Sequence, residues 1–141
     1  MEYRRFKDTV IARLDKNEEI HAEVKKIALA ENIKLASVSA LGAIDKFTVG
    51  VYKVDEKKYY ANSFAGWFEI VSLTGTISTM NGEYYCHLHL SAGDENGKVF
   101  GGHLNEARVS ATCEMVIRVI DGEVDRRFDE EVGLNVFKFI D

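Results

Sequence analysis

Three of the chain's four histidines, His87, His89 and His103, fall in one short segment that reads CHLHLSAGDENGKVFGGHL. His87 and His89 are one residue apart. Side chains alternate along a strand, so this spacing puts both rings on one face. Tyr85, His87, His89 and Ser91 then share that face, while Cys86, Leu88 and Leu90 point to the other, toward a core. The Asn96-Gly97 pair predicts a turn that brings Gly101-Gly102-His103 back beside the first strand. Two glycines remove side chains where backbones must approach closely. Three neutral imidazoles with a fourth position open form a set that zinc takes, and other divalent first-row metals also accept imidazole. The reading is a divalent metal site, zinc, held by His87, His89 and His103. The plainer alternative is a wet sheet face with an unrelated loop histidine. The third histidine across a predicted hairpin favours the metal.

A metal with an open position could activate water or polarise a carbonyl. Glu69 and Glu114 are the candidate general bases. Histidine ligands also need groups to orient them, and Glu69, Glu114, Thr112 and Tyr85 are the candidates. The sequence contains no phosphate-binding glycine loop, no G-x-S-x-G elbow and no paired Cys/His nucleophile motif, so it names no substrate.

The elements that would position these residues can be read from periodicity. Residues 2–14 read as one strand. Asp15, with Glu18 three residues on, fits a capping box. Ile20, Val24 and Ile27 then repeat at helical spacing, which predicts a helix over 17–31 that also carries His21 as an exposed residue. From Leu35 onward β-branched residues and glycine dominate. Asn81-Gly82, Asn96-Gly97 and Asp121-Gly122 predict tight turns. The expected hairpins are 67–80 with 83–92, a return strand at 98–104, and 108–120 with 123–128. The fold class is α+β, mostly antiparallel sheet with one principal amphipathic helix.

Composition narrows the function classes. The chain has 141 residues, 46% hydrophobic and 29% charged, which suits one soluble domain over 1–141 with a sizeable core. No apolar run reaches membrane-spanning length and no signal-peptide pattern opens the chain, so a cytoplasmic protein is expected. Cys86 and Cys113 lack metal or redox spacing and read as buried free thiols. The net charge of −5 argues against a surface that coats nucleic acid. Arg4-Arg5, Lys25-Lys26, Lys57-Lys58 and Arg126-Arg127 are scattered pairs, each read as solvated surface. There is no proline, which excludes arginine–glycine–proline hooks for the minor groove.

The H-x-H pair is similar to the first motif of cupin barrels. However, Glu95 follows His89 at too long a spacing, and the proline of the second cupin motif is missing. A wider resemblance covers nearly the whole chain. GWFEIVSLTGTIS (66–78), HLHLSAGDENGKVFGGHL (87–104) and VSATCEMVI (109–117) resemble, in order, three stretches of the PPC family, the plant and prokaryote conserved domain. The helix followed by ASVSALGAIDKFTVGVY (36–52) resembles its N-terminal half. The resemblance implies an α+β sheet domain that assembles as a homotrimer. It also implies a metal on the three histidines, and the DNA-binding label that prokaryotic members inherit from plant nuclear proteins. Trp67 stands where plant members carry arginine, so a role of that arginine in partner contacts does not transfer. Phe68 and Glu69 match. Glu69 has apolar Trp67 and Val71 as same-face neighbours, so that face is expected to be covered by another subunit or to line a cleft. Three readings follow: a trimeric metal-binding protein, a metal-dependent enzyme acting on a small molecule, and a DNA-binding or transcription-associated module.

Overall fold

The computed structural model describes residues 1–139. Eight strands and one helix follow in the order β1 (Glu2–Phe6), β2 (Thr9–Asp15), α1 (Ile20–Ala30), β3 (Ala36–Lys53), β4 (Lys58–Met80), β5 (Glu83–Gly93), β6 (Val99–Val119), β7 (Asp125–Asp129) and β8 (Leu134–Lys138). Six strands form one antiparallel sheet in the order β1-β2-β6-β3-β4-β5, and β7-β8 form a separate hairpin. The expected class, mostly antiparallel sheet with one helix, holds. Among the described residues, no helix is long and apolar enough to cross a membrane.

The sheet curls until β5, at one end, meets β6. One edge of β6 pairs with β3 along most of its length. The other edge pairs first with β5, from Val99 to His103, and then with β2, from Thr112 to Arg118. Strands β3, β4, β5 and β6 therefore close a ring, which removes exposed sheet edges there. Alternation sorts the residues. Phe47, Leu73, Leu88, Leu90, Leu104, Met115 and Ile117 are buried inside. Phe47 stacks on Phe64 at 4.9 Å and meets Phe68 edge-on at 5.0 Å. Helix α1 adds Ile20, Val24 and Ile27 to the same core, as its stripe predicts.

Several local expectations change. Residues 2–14 are not one strand: Lys7 takes φ 58°, and the chain turns back there to pair β1 with β2. The helix is capped by Glu19, whose carboxylate accepts from the backbone N–H of His21 and Ala22. Glu18 does reach back to the N–H of Asp15 at 2.7 Å, but the Asp15 side chain turns to Arg13. Asn81 and Gly82 both have positive φ, 54° and 78°, as a type I′ turn requires. The second turn is built differently. Asp94 Oδ1 accepts from Asn96 N and Lys98 N, and Gly97 alone takes positive φ. The expected hairpin of 108–120 with 123–128 does not form, because β7 pairs with β8 instead. An Asp-Gly pair marks a change of direction but does not choose the partner strand.

Candidate metal centre

His87 and His89 lie on β5, on the face opposite Leu88 and Leu90. They sit across from Thr76 and Thr74 of β4. His103 on β6 is the direct cross-strand partner of His89 and also pairs with Gly50 of β3. The point where the sheet closes thus sets the third histidine beside the first two. Their ring centroids are 4.9 to 5.7 Å apart. One ring nitrogen from each lies within 4.8 Å of the others.

Glycines allow this convergence. A Cβ on Gly102 would fall 2.5 Å from the carbonyl oxygen of Gly50, and one on Gly75 would fall 2.0 Å from that of His87. Backbones could not approach so closely with side chains present.

His87 and His103 are half-buried, and burial is the main cause that lowers both pKa values. His87 is pulled down to about 4, with His103, His89 and Arg126 adding to the effect. It is therefore neutral at pH 7, the form that binds metal. Among the described residues, none of the three rings has a hydrogen-bond partner. His21 is the contrast: its Nε2 lies 3.1 Å from the carbonyl oxygen of Leu104. Three unpartnered imidazoles with converging nitrogens fit a divalent cation of the zinc type.

The cluster opens on a cavity of about 690 Å³. Its wall includes Val51, Tyr52, Tyr59 and Tyr85, and the β7-β8 hairpin closes one side with Arg126 and Leu134. The Tyr59 hydroxyl donates to Asn105 Oδ1 at 2.5 Å, and its ring meets His103 edge-on.

The other candidates separate. Tyr85 lines the cavity. Glu69 and Glu114 do not. Glu69 is exposed on β4 opposite Ala43 and Gly93. Glu114 is exposed on β6 between Arg13 and Leu41, near the β1-β2 edge. The two glutamates lie on β4 and β6, and among the described residues neither lines the cavity at the three histidines. Thr112 is likewise remote, and its hydroxyl faces Leu14 O at 3.5 Å. Trp67, Glu69 and Val71 do share an open face, with Trp67 75% exposed. The thiols are free: Cys113 is fully buried and Cys86 half-buried, and burial pushes each up to about 11.

Sequence reading missed Arg126. Taken as half of a solvated basic pair, it is 6% exposed and lies against the cavity. Arg127 does face solvent, paired with Asp129 at 3.2 Å. Strand alternation was the available signal, since adjacent arginines on β7 must point to opposite sides.

Residues 1–121 match the model of the Plants and Prokaryotes Conserved (PCC) domain. A metal-containing protein from Archaeoglobus fulgidus is 31% identical, with a TM-score of 0.88 over 98% of this chain and 97% of its own. A candidate DNA-binding protein from Bacteroides thetaiotaomicron is 28% identical, with a TM-score of 0.95 over 98% and 96%. A plant- and prokaryote-conserved protein from Pyrococcus horikoshii is 27% identical, with a TM-score of 0.84 over 99% and 95%. No curated protein matches the chain.

Proposed function

The chain belongs to the Plants and Prokaryotes Conserved domain family, and we propose that it is a metal-binding member of it. In this reading it works as a homotrimer that binds a small molecule beside a zinc ion. The ion would be held by His87, His89 and His103. The observation that carries this reading is the convergence of three unpartnered ring nitrogens within 4.8 Å at the wall of a cavity. The name of the Archaeoglobus relative, a metal-containing protein, agrees with it.

Bound there, zinc would act as a Lewis acid on a carbonyl or on water. The chain's own residues define what can enter. Tyr52, Tyr59 and Tyr85 give the cavity an aromatic wall, and Gly50 leaves room for the Tyr59 ring, which a Cβ would meet at 2.5 Å. The described residues that line the cavity include no carboxylate. The arrangement therefore suits holding and polarising a small molecule better than abstracting a proton.

The homotrimer draws support from the open apolar face at Trp67, Val71 and Leu41, which are 75%, 62% and 58% exposed. Large apolar side chains grouped on one face mark an association surface. Light scattering should give three times the mass of the chain, and a monomeric mass at micromolar concentration would remove this part of the reading. DNA binding, carried by the name of the Bacteroides relative, meets a net charge of −5. Measurable affinity for duplex DNA in moderate salt would restore it.

The deciding experiment is metal analysis of protein purified without an affinity tag or chelator, beside His87→Ala/His89→Ala. About one metal per chain in the parent, lost in the variant, is the expected result. No metal in the parent, with added zinc bound no better than by a surface histidine pair, would end the metal reading.

A further inference from the structure

Arg126 is a buried cation without an acid. Its Nε donates to Ser78 Oγ at 2.9 Å, and Nη1 donates to the carbonyl oxygen of Asn135 at 2.9 Å. The guanidinium lies between two rings, 4.4 Å from the centroid of Tyr85 and 4.4 Å from that of Phe137. Both hydrogen-bond acceptors are neutral. Among the described residues, no carboxylate pairs with it. A guanidinium has five N–H donors, and these two bonds leave the Nη2 edge without a partner. Removing a charge from water without a counter-ion is costly, so a cation that no described residue neutralises is poised for an anion. The fixed fork of arginine matches the two oxygens of a carboxylate.

Position ties this group to the histidines. Arg126 and the three histidines line the same cavity, and Arg126 also lies beside His87 and His89 in the shallower cleft under Val136 and Phe137. Arg126 sits on the β7-β8 hairpin, beyond the residues that match the family domain, 1–121. The arginine thus comes from a segment separate from the histidine-bearing strands.

We infer that Arg126 is the anchoring residue for a small monocarboxylate ligand, whose carboxylate takes the free edge of the guanidinium while its body lies along the tyrosine wall toward the three histidines. Three features choose a carboxylate over a phosphate. The two flat rings hold the guanidinium plane between them, and its free edge suits a planar group. Among the described residues, Arg126 is the one lysine or arginine lining the cavity, which matches a single negative charge. Most of the lining is aromatic or aliphatic, which suits a ligand with an apolar body. This inference rests on the small-molecule reading of the site but not on the metal being present.

The test is titration of benzoate, and separately of inorganic phosphate, into the parent protein, Arg126→Gln, Arg126→Lys and His87→Ala/His89→Ala. Metal content and circular dichroism are recorded for each. Benzoate should bind the parent and weaken by about ten-fold or more in Arg126→Gln, as expected for losing charged hydrogen bonds. Arg126→Lys should recover only part of this, since it restores charge without the fork. Because Arg126→Gln could loosen the hairpin, the Nε–H resonance of Arg126 in the parent is followed as well, and it should shift as benzoate is added. Benzoate binding that survives in the histidine variant supports the anchor independently of the metal. Equal affinity in the parent and Arg126→Gln, no benzoate binding by the parent, or phosphate bound in preference to benzoate would each overturn the inference.

Discussion

Leu88 and Leu90 on one face of β5 are sealed from water, while the His87 and His89 rings on the other line a cavity and have no hydrogen-bond partner among the described residues. The two faces are one backbone apart. The inner face spends its side chains on packing against Phe47, Leu73 and Leu104 in the ring of β3 to β6. The outer face holds two imidazoles, His87 and His89, which meet His103 of β6 and Arg126 of β7, and among the described residues none of these four pairs with an acid. The contrast teaches that stability and binding are carried by alternate residues of one strand, so each can be perturbed with little effect on the other.

The largest expected effect is on the inner face. Leu88→Ala removes a fully buried side chain from a closed ring, and it should cost about 2–5 kcal/mol of unfolding free energy. The surviving folded protein should still take up one zinc per chain. His87→Ala/His89→Ala should do the reverse. Without metal it should stay within about 1 kcal/mol of the parent, since neither ring holds a hydrogen bond. It should lose the roughly 2.7 kcal/mol that zinc at a hundred times its Kd gives the parent. Urea unfolding with and without zinc reads both. If Leu88→Ala abolished zinc uptake at full folding, or the double variant unfolded as readily as Leu88→Ala, the two faces would not be separable.

A smaller effect sharpens the same contrast within one residue type. His21 does not line the cavity, and its Nε2 lies 3.1 Å from the carbonyl oxygen of Leu104. His21→Ala should cost about 1 kcal/mol, the usual net worth of such a bond, and should leave zinc content unchanged. Loss of zinc in this variant would mean that helix α1 takes part in the metal centre.

How much of this could be read in advance follows from which interactions are local. The histidine trio was legible because strand alternation and one turn already bring His87, His89 and His103 together, and the closure of β5 on β6 only completes the contact. The core stripe of α1 was legible for the same reason. Glu69 and Glu114 were weighed for their chemistry without their positions along the strands: β4 and β6 do reach the site, through Thr74, Thr76 and His103, but the two glutamates lie farther along and are not among the described residues that line the cavity. Arg126 was hidden by its neighbour Arg127 and by the expectation that β7 returns along β6. Pairing β7 with β8 instead carries Arg126 over Tyr85, and nothing in the order of residues 121–128 specifies that choice.

The smallest expected effect separates a structural arginine from a binding one. Arg108 on β6 holds Asp45 on β3 with two bonds, Nε to Oδ1 at 2.8 Å and Nη2 to Oδ2 at 3.1 Å. The pair bridges the strands where their register shifts. The Arg108 hydrogen bonds hold the Asp45 carboxyl below its ordinary value of 3.8. A carboxyl depressed on folding stabilises the native state above its unfolded pKa, and that contribution disappears as pH falls through the folded value. Both side chains are partly exposed, 49% for Arg108 and 24% for Asp45, so solvent weakens the pair. Asp45→Asn should therefore cost only about 0.5 kcal/mol at pH 7. The gap between parent and variant should close in acid, once Asp45 is protonated in both states. Unfolding measured from pH 7 downward follows this directly. A gap that stayed constant into strong acid would mean that Asp45 acts by packing or by neutral hydrogen bonds. Arg108 would then no longer serve as the charge-paired counterpart against which the unpaired Arg126 stands out.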